Sequence, residues 1–252
     1  MSFLPLIDAI DHAKTPVFFT GAGVSTLCGI PDFRGPNGIY RDPEYARMFD
    51  IDLFDEDPSF FYRKAGGLVY GAGDIRPGPV HEALVALQRV GRCAGVITQN
   101  VDGLHERAGS SPVYAVHGSP ALHHCRQCGD EKTFAQIAAI RGDDPEAVPR
   151  CPKCGGVYKP DITFFGEMLP EDELRGAIAL AERADLIVVL GSSLTVQPAA
   201  SIPHRTLLSG GRMAIVNFGE TPSDRLAFFR GNDLADFAAA ALAYAQSRNA
   251  ET

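Results

Sequence analysis

Gln99, Asn100 and Asp102 crowd behind one apolar run in "TQNVDGLH", Thr98 to His105. One polar side chain is enough to cap the next helix. The others are left to hydrogen-bond a polar ligand, and Asp102 suits a carboxamide, which offers both donor and acceptor. His117 comes after a second apolar run, "VYAV", and is the one histidine of seven placed directly after such a run. An imidazole titrates near neutrality and suits general-base work. In "VFFTGAGVSTLCGIPDFRGPNG", Val17 to Gly38, the sequence Gly21-Ala22-Gly23 lets backbone amides approach a phosphate. A second turn, Gly191-Ser192-Ser193, offers groups for phosphate or ribose hydroxyls. Each feature also has a purely structural reading, as a tight turn, a cap or a core histidine. Their convergence carries the argument.

A redox dinucleotide site would continue from its glycine turn into a long helix, with an acidic residue about 20 positions on. Here Gly29, Pro31, Gly35, Pro36 and Gly38 break the helix after barely two turns, and Asp32-Phe33-Arg34 sits among the breakers. The glycine turn leads instead into a charged, non-helical flap.

Cys125, Cys128, Cys151 and Cys154 form two CxxC pairs 22 residues apart, the spacing of a zinc ribbon. Four thiolates leave the ion no open position, so one structural metal is expected. "KPDITFFGEMLP", Lys159 to Pro170, reads equally as a strand or as the apolar wall of a channel whose backbone pairs with an extended peptide.

The elements that position these residues are five apolar runs, Val17–Thr20, Ala94–Thr98, Val113–Val116, Leu186–Leu190 and Met213–Val216, with helical patterns between several of them. Val80, Leu84 and Leu87 mark one helix face, Phe3, Leu6, Ile7 and Ile10 another, and "LADFAAAALAYAQSR" a final helix. Such alternation predicts a parallel sheet covered on both faces. The unusual polar residues fall where the five runs end, the side on which open parallel sheets bind ligands. Residues near 39–71 and 123–158 break the alternation and are expected to pack together as a smaller domain. With 252 residues, 45% apolar and a net charge of −8, the chain reads as a soluble globular protein with little attraction for nucleic acid or anionic membrane. The N-terminus lacks a basic start and no run is long enough to span a bilayer, so the expected location is the cytoplasm.

Taken together, "GAGVSTLCGIPDFRGPNG", "TQNVDGLHERAG", "VHGS", the paired CxxC motifs, "KPDITFFGE", "GSSLTVQPAA" and "VNFGETP" resemble the sirtuins, the NAD-dependent protein deacylases, in family order from about residue 17 to 222. The compact bacterial and archaeal members are the nearest in pattern. The resemblance implies a Rossmann-like domain of residues 1–38, 72–122 and 159–252. A small domain would combine a helical insertion, 39–71, with a zinc ribbon, 123–158. It implies that Gly21, Ala22, Gly23, Thr26, Phe33 and Arg34 contact NAD, with Phe33 shielding the reacting carbon. Gln99, Asn100, Val101 and Asp102 would hold the nicotinamide ribose and carboxamide; Gly191, Ser192, Asn217 and Phe218 would hold the phosphates and adenosine. His117 would be the general base, with Asn100 beside it in the catalytic set. Phe33, His117, Ile162, Phe165 and Val196 would line the acyl-lysine channel, where Thr163 and Gly166 contact the substrate. The implied partners are acetylated or otherwise acylated proteins and peptides, and the implied oligomeric state is a monomer.

Some positions depart from the family pattern. Thr163 stands where valine is usual, and Cys28 lies in the flap without an assigned role. Members that take acidic acyl groups carry Tyr-x-x-Arg in the insertion; here Tyr62 is followed by Ala65, which favours neutral groups, acetyl first, and leaves Arg63 open as a carboxylate partner. Three rival readings remain: a protein mono-ADP-ribosyltransferase, which the acyl channel and His117 oppose; a redox dehydrogenase, which the truncated helix opposes; and a non-catalytic zinc-ribbon binding module, which leaves the strand-end cluster unexplained.

Overall fold

The apolar runs become strands of one parallel sheet. The computed structural model describes residues 2–35, 38–65, 69, 75–142, 144 and 146–250; Pro36 and the expected domain boundary at 71/72 lie outside them. In chain order the elements are α1 (Leu4–His12), β1 (Pro16–Thr20), a 3₁₀ helix (Ala22–Cys28), α2 (Pro43–Ala46), α3 (Ile51–Glu56), α4 (Pro58–Ala65), α5 (Pro79–Arg89), β2 (Gly95–Thr98), α6 (Leu104–Ala108) and β3 (Val113–Ala115). Then come β4 (Gly118–Cys125), β5 (Glu131–Thr133), α7 (Phe134–Arg141), β6 (Tyr158–Ile162), α8 (Glu171–Arg183), β7 (Leu186–Leu190), α9 (Ile202–Leu208), β8 (Arg212–Val216), β9 (Phe229–Gly231) and α10 (Leu234–Ala250).

The six-stranded sheet has the order β3-β2-β1-β7-β8-β9, every neighbour parallel. The parallel sheet is the one the sequence pattern predicts, and its order is the Rossmann-like one that the family resemblance implies. Strand residues alternate between two helical layers, as a period of two requires. Phe18, Val188, Leu190 and Ala214 pack with Leu6 and Ile10 of α1, Leu84 of α5 and Phe237 of α10. Val17, Phe19, Ile187 and Val189 pack with Leu180 of α8 and Ile202 of α9. The central strands β1, β2 and β7 are buried along their whole length, which is why they read as nearly unbroken apolar runs. Phe3, Leu6, Ile7 and Ile10 are buried, as are Val80, Leu84 and Leu87.

Three elements depart from the sequence reading. The short helix after Gly23 is a 3₁₀ helix, ended by Gly29 at φ 87°. A sixth strand, β9, closes the sheet's edge. The lead-in to the cysteines, β4, is an eight-residue strand that pairs antiparallel with β5 and β6 to form a separate sheet, β5-β4-β6. That sheet carries the cysteine loops. The helical insertion packs against it: Tyr62 donates to the Tyr158 carbonyl at 2.6 Å, and Arg126 pairs with Asp55 at 2.6 Å.

The order changes direction between β1 and β7, so the loops leaving these two strands part and open a crevice at their carboxyl ends. Across it the backbones touch: Gly23 N–H donates to the Gly191 carbonyl at 2.9 Å and Gly21 N–H to that of Leu190 at 3.0 Å. Gly191 sits at φ 61°, and a Cβ there would lie 2.7 Å from the Val24 nitrogen and 2.8 Å from the Gly23 carbonyl carbon. Gly191→Ala is therefore expected to destabilise the chain by at least about 2 kcal/mol. Gly210 has φ 86° with open space around its Cα. Gly210→Ala shares the backbone strain without the clash and should cost about 1 kcal/mol. Thermal unfolding of both variants checks this, and equal losses would show that the turns do not need to touch.

Candidate active site

A cavity of about 990 Å³ opens at this crevice. Its floor is the two glycine turns, with Gly21, Ala22 and Gly23 behind β1 and Gly191 and Ser192 behind β7. Thr26 lines the same floor and turns its hydroxyl back onto the Gly23 carbonyl at 2.9 Å. Gln99 bridges the floor by donating to the Ser192 hydroxyl at 2.6 Å. Asn217 and Phe218, behind β8, form the far rim, where Phe218 is 74% exposed. The turns and this apolar rim fit a dinucleotide: amides for phosphates and an open ring for a base.

The flap lies over the cavity. Phe33 and Arg34 line it, and backbone bonds from Ile39 to Asp32 and from Tyr40 to Phe33, both 3.0 Å, hold the flap to the insertion. The Phe33 ring packs against Tyr40 and Phe49, with centroids 5.1 and 6.1 Å away, and Arg34 stacks on Tyr40. Aromatic contacts order a segment that its glycines and prolines exclude from regular structure. Cys28 closes the rear of the 3₁₀ helix, its sulfur 3.8 Å from His81 Nδ1.

Behind β2, Gln99, Asn100 and Val101 line the cavity. Asn100 is buried; its amide donates to the Ser25 hydroxyl at 3.1 Å and its backbone N–H to Thr98 Oγ1 at 3.0 Å. Ser25 in turn donates to Asp102 at 2.7 Å. Asp102 is not among the lining residues: one oxygen takes the Ser25 hydroxyl and the other accepts the Leu104 N–H at 2.9 Å, capping α6. Through Ser25 it is linked to the side chain of Asn100. The sequence reading missed Ser25, which lies one 3₁₀ turn after Ala22.

His117 lies at the junction of the two sheets. Its Nδ1 contacts the Gln99 carbonyl at 2.8 Å. A carbonyl only accepts, so Nδ1 carries the hydrogen and Nε2 keeps a free lone pair. Burial lowers the imidazole's pKa, opposed by the Gln99 bond and assisted by the Arg34 charge. The ring is thus a neutral base at neutral pH.

The opposite wall is Ile162, Thr163, Phe165 and Gly166, with Val196 behind β7. The "KPDITFFGE" stretch is both things its sequence allowed, strand β6 and then cavity wall. Thr163 N–H donates to the His117 carbonyl at 2.8 Å, coupling wall to base. Phe165 is held from both sides, donating to the Phe49 carbonyl at 2.7 Å and accepting from Ile51 N–H at 3.1 Å. Within the wall Lys159 is buried, pairs with Glu167 at 2.8 Å and donates to the Ile162 carbonyl at 2.8 Å; Glu167 also accepts the Phe164 N–H at 2.8 Å. Tyr62 is consumed in the core, and Arg63 turns to Ser59 and Asp57. Arg34 is the one Lys or Arg side chain among the described lining residues, which fits neutral acyl groups.

The sulfurs of Cys125, Cys128, Cys151 and Cys154 lie within 4.8 Å of one another, with contacts of 3.5 and 3.7 Å. These separations are far too long for a disulfide. They match the edge of a tetrahedron with roughly 2.3 Å zinc–sulfur bonds. The donor set fits one structural zinc, remote in role from the cavity.

Residues 21–198 match the model of the Sir2 family. The chain is similar to the NAD-dependent protein deacetylase of Thermotoga maritima, 44% identical over 240 residues that cover 94% of this chain and 96% of that one. It is similar to a solved Sir2 in complex with a p53 peptide and NAD+, with a TM-score of 0.89 and 40% identity, covering 98% of this chain and 100% of that one. A Sir2 with a deacetylated p53 peptide and 3′-O-acetyl-ADP-ribose has a TM-score of 0.88 and 42% identity, covering 95% and 96%.

Cys151→Ser is expected to remove the metal and unfold the sheet that carries the wall. Elemental analysis should find about one zinc per wild-type chain and none in the variant, with a clear fall in melting temperature. Equal stability with and without zinc would show that the cluster does not hold the small unit together.

Proposed function

Because the chain belongs to the Sir2 family, we infer that it is an NAD-dependent protein-lysine deacylase, which moves an acyl group from lysine to ADP-ribose and releases nicotinamide. One observation carries the reading: a neutral histidine with a free Nε2 stands where a phosphate-binding floor meets an apolar, peptide-like wall. NAD, as co-substrate, supplies an electrophilic ribose carbon and a leaving group; the acyl-lysine carbonyl oxygen is the nucleophile.

We propose these roles for the chain's own residues. The amides of Ala22 and Ser192 receive the diphosphate on a floor that Gly21, Gly23 and Gly191 keep open to close approach, with Thr26 and Arg34 beside them, and Asn217 and Phe218 receive the adenosine. Gln99, Asn100 and Val101 hold the nicotinamide half, and Asp102 keeps Asn100 in place through Ser25. Phe33 closes over the reacting carbon and excludes water, which strengthens every charge interaction beneath it. His117 Nε2 takes the proton of a ribose hydroxyl, and the Gln99 carbonyl steadies the resulting imidazolium through Nδ1. The acyl-lysine enters between Ile162, Phe165 and Val196, its peptide backbone pairing with the wall near Thr163 and Gly166 as an added strand. The two-domain division drawn from the sequence is supported by separate apolar clusters, one around Phe49, Phe54 and Phe61 and two on the large sheet. No helix among the described residues is long and apolar enough to cross a membrane. Free, metal-spaced cysteines support a reducing compartment such as the cytoplasm.

Incubation with NAD and an acetyl-lysine peptide, read by mass, tests the function: free lysine and O-acetyl-ADP-ribose are expected. His117→Ala should stay folded and lose about 10²–10⁴-fold in turnover, the usual contribution of a general base, while nicotinamide exchange persists. The wild-type rate should fall with acid only below the ordinary histidine value of about 6.5, since a lowered pKa keeps the base form populated to lower pH. NAD left intact with every acyl peptide would falsify the reading, and ADP-ribose attached to the peptide would favour a transferase.

A further inference from the structure

β9 is three residues long, yet Arg230 at its centre makes more contacts than any strand register requires. Its Nη1 donates to the Asn217 carbonyl at 2.6 Å and also to that of Gly231; Nη2 donates to the Gly219 carbonyl; Nε donates to Asp224 at 3.0 Å. Asp224 in turn accepts the Thr221 N–H at 3.2 Å and its hydroxyl at 2.6 Å. One guanidinium therefore fastens both ends of the loop Asn217–Thr221, the front through carbonyls and the rear through a carboxylate. That loop is the far rim of the cavity, where Asn217, Phe218, Gly219 and Glu220 face the ligand space. Phe218 projects from it with 74% of its surface open, and the loop's other bonds, Asn217 Nδ2 to the Gly219 carbonyl at 2.9 Å and Asn217 N–H to that of Gly231 at 3.0 Å, end on the same carbonyls that Arg230 gathers.

We propose that Arg230 is a positioning residue for the adenosine half of NAD, fixing the Asn217–Thr221 rim in the conformation that receives it. The proposal rests on the NAD-dependent reading above. Arg230 is not a lining residue, so its influence must pass through the rim. A rim ordered in advance need not be ordered by the ligand, which spares affinity. The planar fork matters as well as the charge: a lysine ammonium cannot span three carbonyls and a carboxylate from one planar group. The peptide wall comes from other segments, so acyl-peptide binding should not feel the change.

The test is Arg230→Lys, with Asp224→Asn as a milder second variant should the first fail to fold. Arg230→Lys is expected to raise the KM for NAD and the calorimetric Kd for ADP-ribose about tenfold. Turnover at saturating NAD should stay within about twofold and the peptide KM should not move. Asp224→Asn should shift the same quantities in the same direction by less. A merely structural role would lower melting temperature and active fraction while the folded molecules kept their ADP-ribose affinity. Unchanged affinity in both variants, or NAD and peptide KM values rising together, overturns the proposal. If the wild type binds ADP-ribose but consumes no NAD, the deacylase reading fails alone and the affinities still decide the role of Arg230. A wild type that binds no ADP-ribose overturns both.

Discussion

Two backbone turns touch at the centre of this molecule, and the site derives from that contact. Gly23 and Gly191 can meet because neither has a side chain, and Gly191 adopts a left-handed conformation to do so. Beside the contact, the first turn behind β1 follows a tight 3₁₀ path in place of an α-helix. That path sets Ser25 beside Asn100 and Asp102. Geometry at the sheet's reversal point is thereby passed, bond by bond, to the polar residues behind β2. A Cβ on Gly21, Gly23 or Gly191 would run into the opposite turn and force the two apart.

The opposite wall depends on different physics. Phe49, Phe54, Phe61 and Phe164 pack in tilted and edge-to-face pairs, with centroid spacings of 5.0 to 6.1 Å. Lys159 lies against this cluster, 4.0 Å over the Phe164 ring. Burial lowers its pKa while Glu167 opposes the shift, so the charge is kept by its partner. Such a pair adds little net stability, but removing one partner strands the other and costs roughly 3–5 kcal/mol. Its value here is shape: the pair closes Lys159–Glu167 into a loop whose outer residues face the cavity. Thr163 then ties that loop to His117, so floor, base and wall are one connected object.

The strands of the large sheet were legible because burial on both faces writes them as plain apolar runs. β9 was not, since three residues ending in Arg230 and Gly231 carry no run at all. β4 was obscured for another reason: its register shifts between Ser119 and His123, and its partners β5 and β6 each lie beyond a CxxC pair in the chain. Sequence order placed Asp102 among the polar residues behind β2, and its type suits a polar ligand. Its bonds to Ser25 and to the start of α6 are what spacing alone does not encode. The two CxxC pairs needed no such context, because tetrahedral thiolate chemistry fixes their spacing locally.

The histidines show most clearly what a base requires beyond burial. His105 is fully buried, and its pKa is lowered to about 3 by desolvation and by the neighbouring His81, so it is neutral at any ordinary pH. Its Nε2 is engaged with Thr20 at 2.9 Å, and its ring lies against His81 with centroids 4.6 Å apart, away from the cavity. Neutrality there serves only packing, and it carries a liability. Below about pH 6.5 the unfolded chain takes a proton that the folded chain refuses, so this contribution to stability is present at higher pH and lost on acidification. His117 runs the same risk, but its geometry returns something for it. One nitrogen is spent on a fixed carbonyl, the other stays free, and the free one opens onto the junction of a phosphate floor and an apolar wall. Access and a defined tautomer, more than a shifted pKa, separate the base from the core histidine.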